Sequence, residues 1–432
     1  MKFEIKHKII DLTLLIVVSC NKETCDFIPV CEPLGQNTQN SGLTIVTYNA
    51  ENPSDFVGAI YDTKNNASAP VGTDWGVALG SAGKITKPAD WTLGKIGRVF
   101  GIAVDDNENI YLASSGVYSH NFPAFGSNIP YQNAKPGRIY KATAGTYSTT
   151  AFVDLPVTYA SGAGSLNGIG NIAYDKVNKQ LFATNLDDGK IYRISMTGAI
   201  LQTYDPFTPD TGAPDITTQD EQIWGIGVNY EEGKVKLYFA RITTPVTALA
   251  NRNIYSLTLN SGGVMPTSAP VLEIANIPGT LPAITDIEFS GDTKKMIFAE
   301  RKEPHNAMVL SYNRLSNSWV SNTQYNVGMS NGKNSAGGVD FSYKGDDKSP
   351  IQACDEFIWA TGNALYNAQG QAVYGMQGIK YSGNSLSTYS TTDLFIDYDQ
   401  VNPYVWSSAI GKNDIGDVDV IDANNCFCVI KK

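Results

Sequence analysis

Three side chains in this sequence share a place from which they could hold a cation. Asn171, Asp286 and Asp417 each stand second in a short recurring segment, in "GNIAYD", "TDIEFS" and "GDVDVI". Clustered oxygen donors are the chemistry of Ca²⁺, which takes carboxylates and amide carbonyls. Three further copies, "FGIAVD", "WGIGVN" and "GGVDFS", put Gly101, Gly225 and Gly338 at the same place. A second polar set, Ser114, Thr184, Arg241, Glu300 and Thr361, follows a recurring alanine at 113, 183, 240, 299 and 360. Arg241 and Glu300 therefore join the candidate ligand or metal site. The same residues have a structural reading: Arg241 pairs with Glu300 across neighbouring repeats, and the acids accept backbone hydrogen bonds. That reading is the one expected.

Other chemistry is largely excluded. The chain has three histidines, of which only His120 and His305 lie beyond the first twenty residues, so a three-histidine zinc site is out of reach. There is no HExxH, CxxC or phosphate-binding loop. Asp105, Asn107 and Asn109 have the alternating spacing of a Ca²⁺ loop but lack its glycine and distal Glu, which predicts a plain hairpin turn. Tyr118, His120, Phe122, Phe125 and Tyr131 fall in one Gly- and Pro-containing insertion. Such aromatics stack on a sugar, grip a peptide, or pack down on the protein. Packing down is expected, because exposed aromatic clusters are uncommon.

What must position these residues is a set of strands. Each recurring segment alternates large apolar residues with small or acidic ones, the period-two signature of a strand with two different faces. A second strand follows each after an Asp-, Asn- or Gly-rich turn: "NIYLASS", "QLFATN", "KLYFAR", "KMIFAE", "EFIWATG" and, in the last copy, "CFCVIK". Four antiparallel strands repeated six times make a six-bladed β-propeller, with seven blades the alternative. The copies are 52 to 79 residues apart, which requires long connecting loops. The last copy ends after two strands. "LTIVTYNA" (43–50) and "VGAIYDT" (57–63) are expected to complete it as outer strands, closing the ring between the two ends of the chain.

The strand pattern resembles NHL-type and SMP-30-like propellers, in which "GNIYVAD" strands take the place of "NIYLASS" here. The resemblance covers most of residues 96–432 and implies architecture. For the SMP-30-like lactonases it also implies a divalent ion near the channel mouth, although no Glu here matches the one that family places in its first repeat.

The start of the chain bears on location. Lys2, Lys6 and Lys8 precede an apolar run of about seven residues, far short of the roughly 20 a spanning helix needs. Val17-Val18-Ser19-Cys20 resembles the lipobox of bacterial lipoproteins, which implies removal of residues 1–19 and acylation of Cys20. Cys20-Asn21-Lys22-Glu23 resembles the surface-export signal of Bacteroidetes lipoproteins. Residues 20–42 then read as a tether and 43–432 as the propeller. Five cysteines remain, with Cys25–Cys31 and Cys354–Cys426 the conceivable pairs.

Net charge of −10 and the absence of a basic block exclude nucleic acid as a partner. Together these features predict a cell-envelope lipoprotein, held by lipid at the outer membrane, whose propeller binds a glycan, peptide or envelope protein. The alternative is a divalent-metal-dependent hydrolase or lactonase of the SMP-30-like type. No nucleophile–base pair is visible, so binding is favoured over catalysis.

Overall fold

The computed structural model describes residues 42–50, 52–63, 85–118, 137–156, 168–207, 221–241, 252–278, 283–301, 306–328, 332–342, 357–366, 372–380, 394–397 and 415–421. These form six four-stranded antiparallel sheets. Strands β1 (Leu43–Tyr48), β2 (Gly58–Asp62) and β3 (Ile85–Thr86) come first in the chain. Blade one is β4 (Val99–Val104), β5 (Ile110–Ser114), β6 (Arg138–Ala142) and β7 (Thr149–Asp154). Blade two is β8 (Ile169–Asp175), β9 (Gln180–Asn185), β10 (Ile191–Ser195) and β11 (Ile200–Tyr204). Blade three is β12 (Ile223–Glu231), β13 (Lys234–Arg241), β14 (Ile254–Thr258) and β15 (Val271–Ile274). In blade four stand β16 (Ala283–Phe289), β17 (Lys295–Arg301), β18 (Val309–Leu315) and β19 (Ser318–Tyr325). Blade five is β20 (Ser335–Ser342), β21 (Phe357–Tyr366), β22 (Ala372–Lys380) and β23 (Leu394–Asp397). Last comes β24 (Ile415–Val420), which joins β1, β2 and β3 to make blade six.

Alternation of side chains turns this list into a ring. In β5, Tyr111 and Ala113 pack with blade two, while Ile110 and Leu112 pack with blade six. Each neighbouring pair of blades encloses one apolar cluster. Phe182 lies between blades two and three, Phe298 between three and four, Ile358 between four and five, and Trp359 between five and six. Six interfaces for six blades leave no gap, so the sheets close around an axis as a six-bladed β-propeller. Full burial of each large apolar side chain contributes about 1.5–3 kcal/mol, and the ring buries several in every interface.

Closure is made by the chain ends, with one change from the expected arrangement. β1 pairs directly with β24 (Val46 opposite Val418), so it is the second strand of blade six rather than an outer one. "CFCVIK" (426–431), read above as that second strand, lies outside the described residues. The physical reason is that β24, the innermost strand, offers a hydrogen-bonding edge on the side away from the channel, and β1 fills it. Gly42 N donates to Ile421 O and Ile421 N to Leu43 O, extending the seam beyond the strands.

Candidate functional site

The innermost strands β8, β16 and β24 bring Asn171, Asp286 and Asp417 to the channel axis from blades two, four and six, all buried. Gly101, Gly225 and Gly338 stand between them in the odd blades. A Cβ on Gly101 would lie 2.5 Å from Asn171 Oδ1, and one on Gly338 would lie 2.6 Å from Asp417 Cα. Alternation of glycine with a polar residue therefore lets each polar-bearing strand close onto its neighbour.

These side chains then bond to the blades around them. Asn171 Nδ2 donates to Asp286 Oδ1 (3.0 Å) and to Thr285 O (3.0 Å). Asp286 Oδ1 also accepts from Ile287 N (3.0 Å), and its Oδ2 accepts from Val339 N of blade five (2.8 Å). Asp417 Oδ2 accepts from Ile102 N of blade one (3.2 Å). Asp417 Oδ1 meets no N–H or hydroxyl donor, and the Asp417 carboxyl neighbours that of Asp286. Burial pushes Asp286 up to about 7, against the pull of its donors. Asp417 is pushed well above the usual carboxylate range by burial first and by the adjacent Asp286 second.

This set does not suit Ca²⁺, which takes six to eight oxygens. Asn171 turns its amide nitrogen toward Asp286, its oxygen is engaged by Ile172 N (2.7 Å), and Asp286 is occupied by N–H donors. Among the described residues no group of three or more His, Cys, Asp or Glu is placed to hold a metal ion.

Strand register divides the second polar set. In blade four Ala299 pairs with Asp286, and in blades one and three Ala113 and Ala240 fall in the register shift that holds Gly101 and Gly225. In blades two and five Ala183 and Ala360 pair one residue further along, opposite Ile172 and Val339, so Thr184 and Thr361 take the position. Thr47 takes it in blade six. All three threonines do one job. Thr184 Oγ1 accepts from Asn171 N (3.0 Å) and donates to Trp224 O of blade three (2.8 Å). Thr361 bridges Gly338 N (2.9 Å) to Gly416 O (2.7 Å), and Thr47 bridges Asp417 N (2.9 Å) to Phe100 O (2.8 Å). They are clamps between blades.

Arg241 and Glu300 do not meet. Each turns toward the blade before its own, so Arg241 faces away from Glu300. Arg241 lies 4.6 Å above the Phe207 ring, and Glu300 forms a buried ion pair with Arg252 of blade three. Glu300 Oε2 also accepts from Met308 N (3.0 Å). Burial pushes the Glu300 carboxyl up while Arg252 pulls it down.

Arg301, not singled out from the sequence, closes the channel at the end where the innermost strands begin. Its Nη1 donates to Ala336 O and to Ile415 O (2.6 Å), and its guanidinium lies 5.4 Å from the Phe100 ring and 5.1 Å from that of Tyr118. Tyr118 is buried in this cap, its hydroxyl donating to Val99 O (2.6 Å). His120, Phe122, Phe125, Tyr131, Cys20 and the other five cysteines lie outside the described residues.

At the opposite end the channel widens into a cavity of about 140 Å³. Glu288, Asp340 and Asp419 line it, at one register of three consecutive blades, with Tyr174, Phe289 and Phe341 in the wall. Asp340 accepts from Phe341 N (2.7 Å) and Val420 N (2.7 Å). Their signal was present in the sequence, as the acid two places after the channel residue in "TDIEFS", "GGVDFS" and "GDVDVI". Nearby, Asp105 accepts from the backbone N–H groups of Asn107 (2.8 Å) and Asn109 (3.0 Å) and from the Tyr111 hydroxyl (3.0 Å). That carboxylate is the hub of a hairpin turn.

No family model matches the sequence, and no curated protein does. Several solved structures are similar to the chain at low identity. A chain of the nidogen/laminin complex is 10% identical, over 87% of this chain and 97% of that one, with a TM-score of 0.44. A protein from Bacteroides uniformis, described as a 6-phosphogluconolactonase, is 9% identical over 81% and 82%, with a TM-score of 0.39. A gluconolactonase from Xanthomonas campestris is 11% identical over 73% and 84%, with a TM-score of 0.37. At such identities those activities belong to those proteins alone.

Proposed function

We propose that this propeller is a binding module, carried on a lipid anchor at Cys20 in the cell envelope, and that its ligand is a peptide or protein segment presenting a cationic side chain. One observation supports this most: the channel-end cavity holds Glu288, Asp340 and Asp419 from successive blades beside four aromatic rings, Tyr174, Tyr230, Phe289 and Phe341. Negative charge spread around an aromatic-walled cavity attracts a lysine or arginine head, through its field and through the ring faces. The volume of about 140 Å³ suits one such side chain. The acids at the axis serve the fold, which weighs against the lactonase alternative.

Calorimetry with a lysine-rich peptide tests the reading. Saturable heat that weakens with salt, and is absent for a glutamate-rich peptide of the same length, is expected; equal or no heat for the two overturns it. Hydrolysis of gluconolactone in millimolar Ca²⁺, lost in Asp417→Asn, would establish the lactonase instead. A mass spectrum of the mature N-terminus tests the anchor, with diacylglycerol on Cys20 expected and an unmodified Cys20 against it.

A further inference from the structure

The two acids on the axis have an imbalance that only a proton removes. Asp286 accepts from Val339 N, Ile287 N and Asn171 Nδ2, which together engage both its oxygens. Asp417 accepts from Ile102 N through Oδ2 and its Oδ1 is buried without an N–H or hydroxyl donor, while its carboxyl neighbours that of Asp286. Two ionised carboxylates buried side by side repel strongly, and a buried acceptor without a donor costs about 1–3 kcal/mol. A hydrogen on Asp417 Oδ1 relieves both. Asp417 becomes the donor and Asp286 the charge that receives it.

We infer that Asp286 and Asp417 share a proton carried on Asp417, and that this proton fastens blade six to blade four. Blade six is the one assembled from both chain ends, so the proton sits at the ring's seam. Asp417 N is also tied to Thr47 of β1, so the same residue contacts both halves of the seam.

Other charges face the pair. Asp419 on β24, Glu288 on β16 and Asp340 on β20 lie toward the cavity, and Arg301 on β17 lies toward the cap. β4 carries no ionisable side chain. Those of β8 and β12, such as Asp175 and Glu231, lie at the strands' far ends, and Tyr48 of β1 donates away to Gly58 O (2.9 Å). The nearest acids add negative charge, which strengthens retention of the proton.

The sign follows from linkage. In the unfolded chain both carboxyls lose their protons near pH 4, whereas in the folded chain burial and the neighbouring Asp286 hold the shared proton on Asp417 to higher pH. The stabilisation from that proton is therefore complete below about pH 4 and is lost as pH rises toward the raised folded value of Asp417. Each retained proton lowers the folding constant about tenfold per pH unit across that window.

The experiment is thermal and urea unfolding of the full chain between pH 4 and 9, for wild type, Asp417→Asn and Asp286→Asn. An amide at 417 reproduces the protonated acid, so Asp417→Asn is expected to fold and to lose about tenfold per pH unit less than wild type. An amide at 286 turns its NH₂ against Val339 N or Ile287 N, so Asp286→Asn is expected to be destabilised at every pH. Infrared spectra of wild type at pH 7 are expected to show a protonated-carboxyl band that Asp417→Asn lacks. Equal damage from both variants, an unchanged pH slope in Asp417→Asn, or no such band in wild type overturns the inference. So does a rise in the wild-type Tm with millimolar Ca²⁺ that Asp417→Asn does not show, which would make the pair a cation site.

Discussion

Replacing Gly338 by alanine probes the contact that lets two blades close at the axis. A Cβ there would lie 2.5 Å from Val418 N, 2.6 Å from Asp417 Cα and 2.7 Å from Asp417 C, where ordinary contact begins near 3.4 Å. Every one of these atoms is backbone, so no side chain can turn aside. Blade six must retreat from blade five by about 1 Å, a typical overpacking cost of about 1–3 kcal/mol. That movement also strains the bond from Val420 N to Asp340, which joins blade six to blade five, a charge-assisted bond worth about 1.5–3 kcal/mol. The expected loss is about 3–5 kcal/mol. Gly145→Ala is the control: its φ is +79°, nothing lies within 4 Å of the added carbon, and only the left-handed backbone penalty of about 1–2 kcal/mol applies. Urea unfolding measures both. A Gly338→Ala loss within about 1 kcal/mol of the control would refute the close approach of blades five and six.

Two further predictions concern the bonds between blades. Thr47→Val keeps the shape but leaves Asp417 N and Phe100 O without their bridge, for a loss of about 2 kcal/mol in urea unfolding; no loss would argue against the clamp. Glu300→Ala strands the buried Arg252 and is expected to cost about 3–5 kcal/mol. A double-mutant cycle should find strong coupling of Glu300 to Arg252 and none to Arg241, and coupling to Arg241 would contradict the orientation of β13.

The ring was legible because its signal is local: Ile102 and Val104, or Ile287 and Phe289, repeat every blade with period two. The channel position was legible for the same reason, since Asn171, Asp286 and Asp417 hold one place in segments of one length. What failed was anything set by the far side of a hairpin. Aligning Ala183 with Ala113 ignores the extra residue in the turn of blade two, and a slip of one residue sends a side chain to the opposite face. Thr47 escaped notice as a clamp because its partner strand lies 370 residues later. The Arg241–Glu300 pair was inferred from adjacent blades without regard to direction, while Arg252, just before β14, belongs to no repeated position. Arg301 likewise follows the repeat by two places, and only the fold shows that its carbonyl partners lie in blades five and six.

The most direct test of the closed ring is a pair of cysteines at Val46 and Val418, opposite one another in β1 and β24. Facing residues of an antiparallel pair have Cα atoms about 4.5–5.5 Å apart, within reach of a disulfide. Peptide mapping of the oxidised monomer is expected to find the 46–418 cross-link, and a matched Val46–Ala299 cysteine pair, reaching to blade four, is expected to give none. A ring not sewn by its two ends would give no 46–418 link, or would give both links alike.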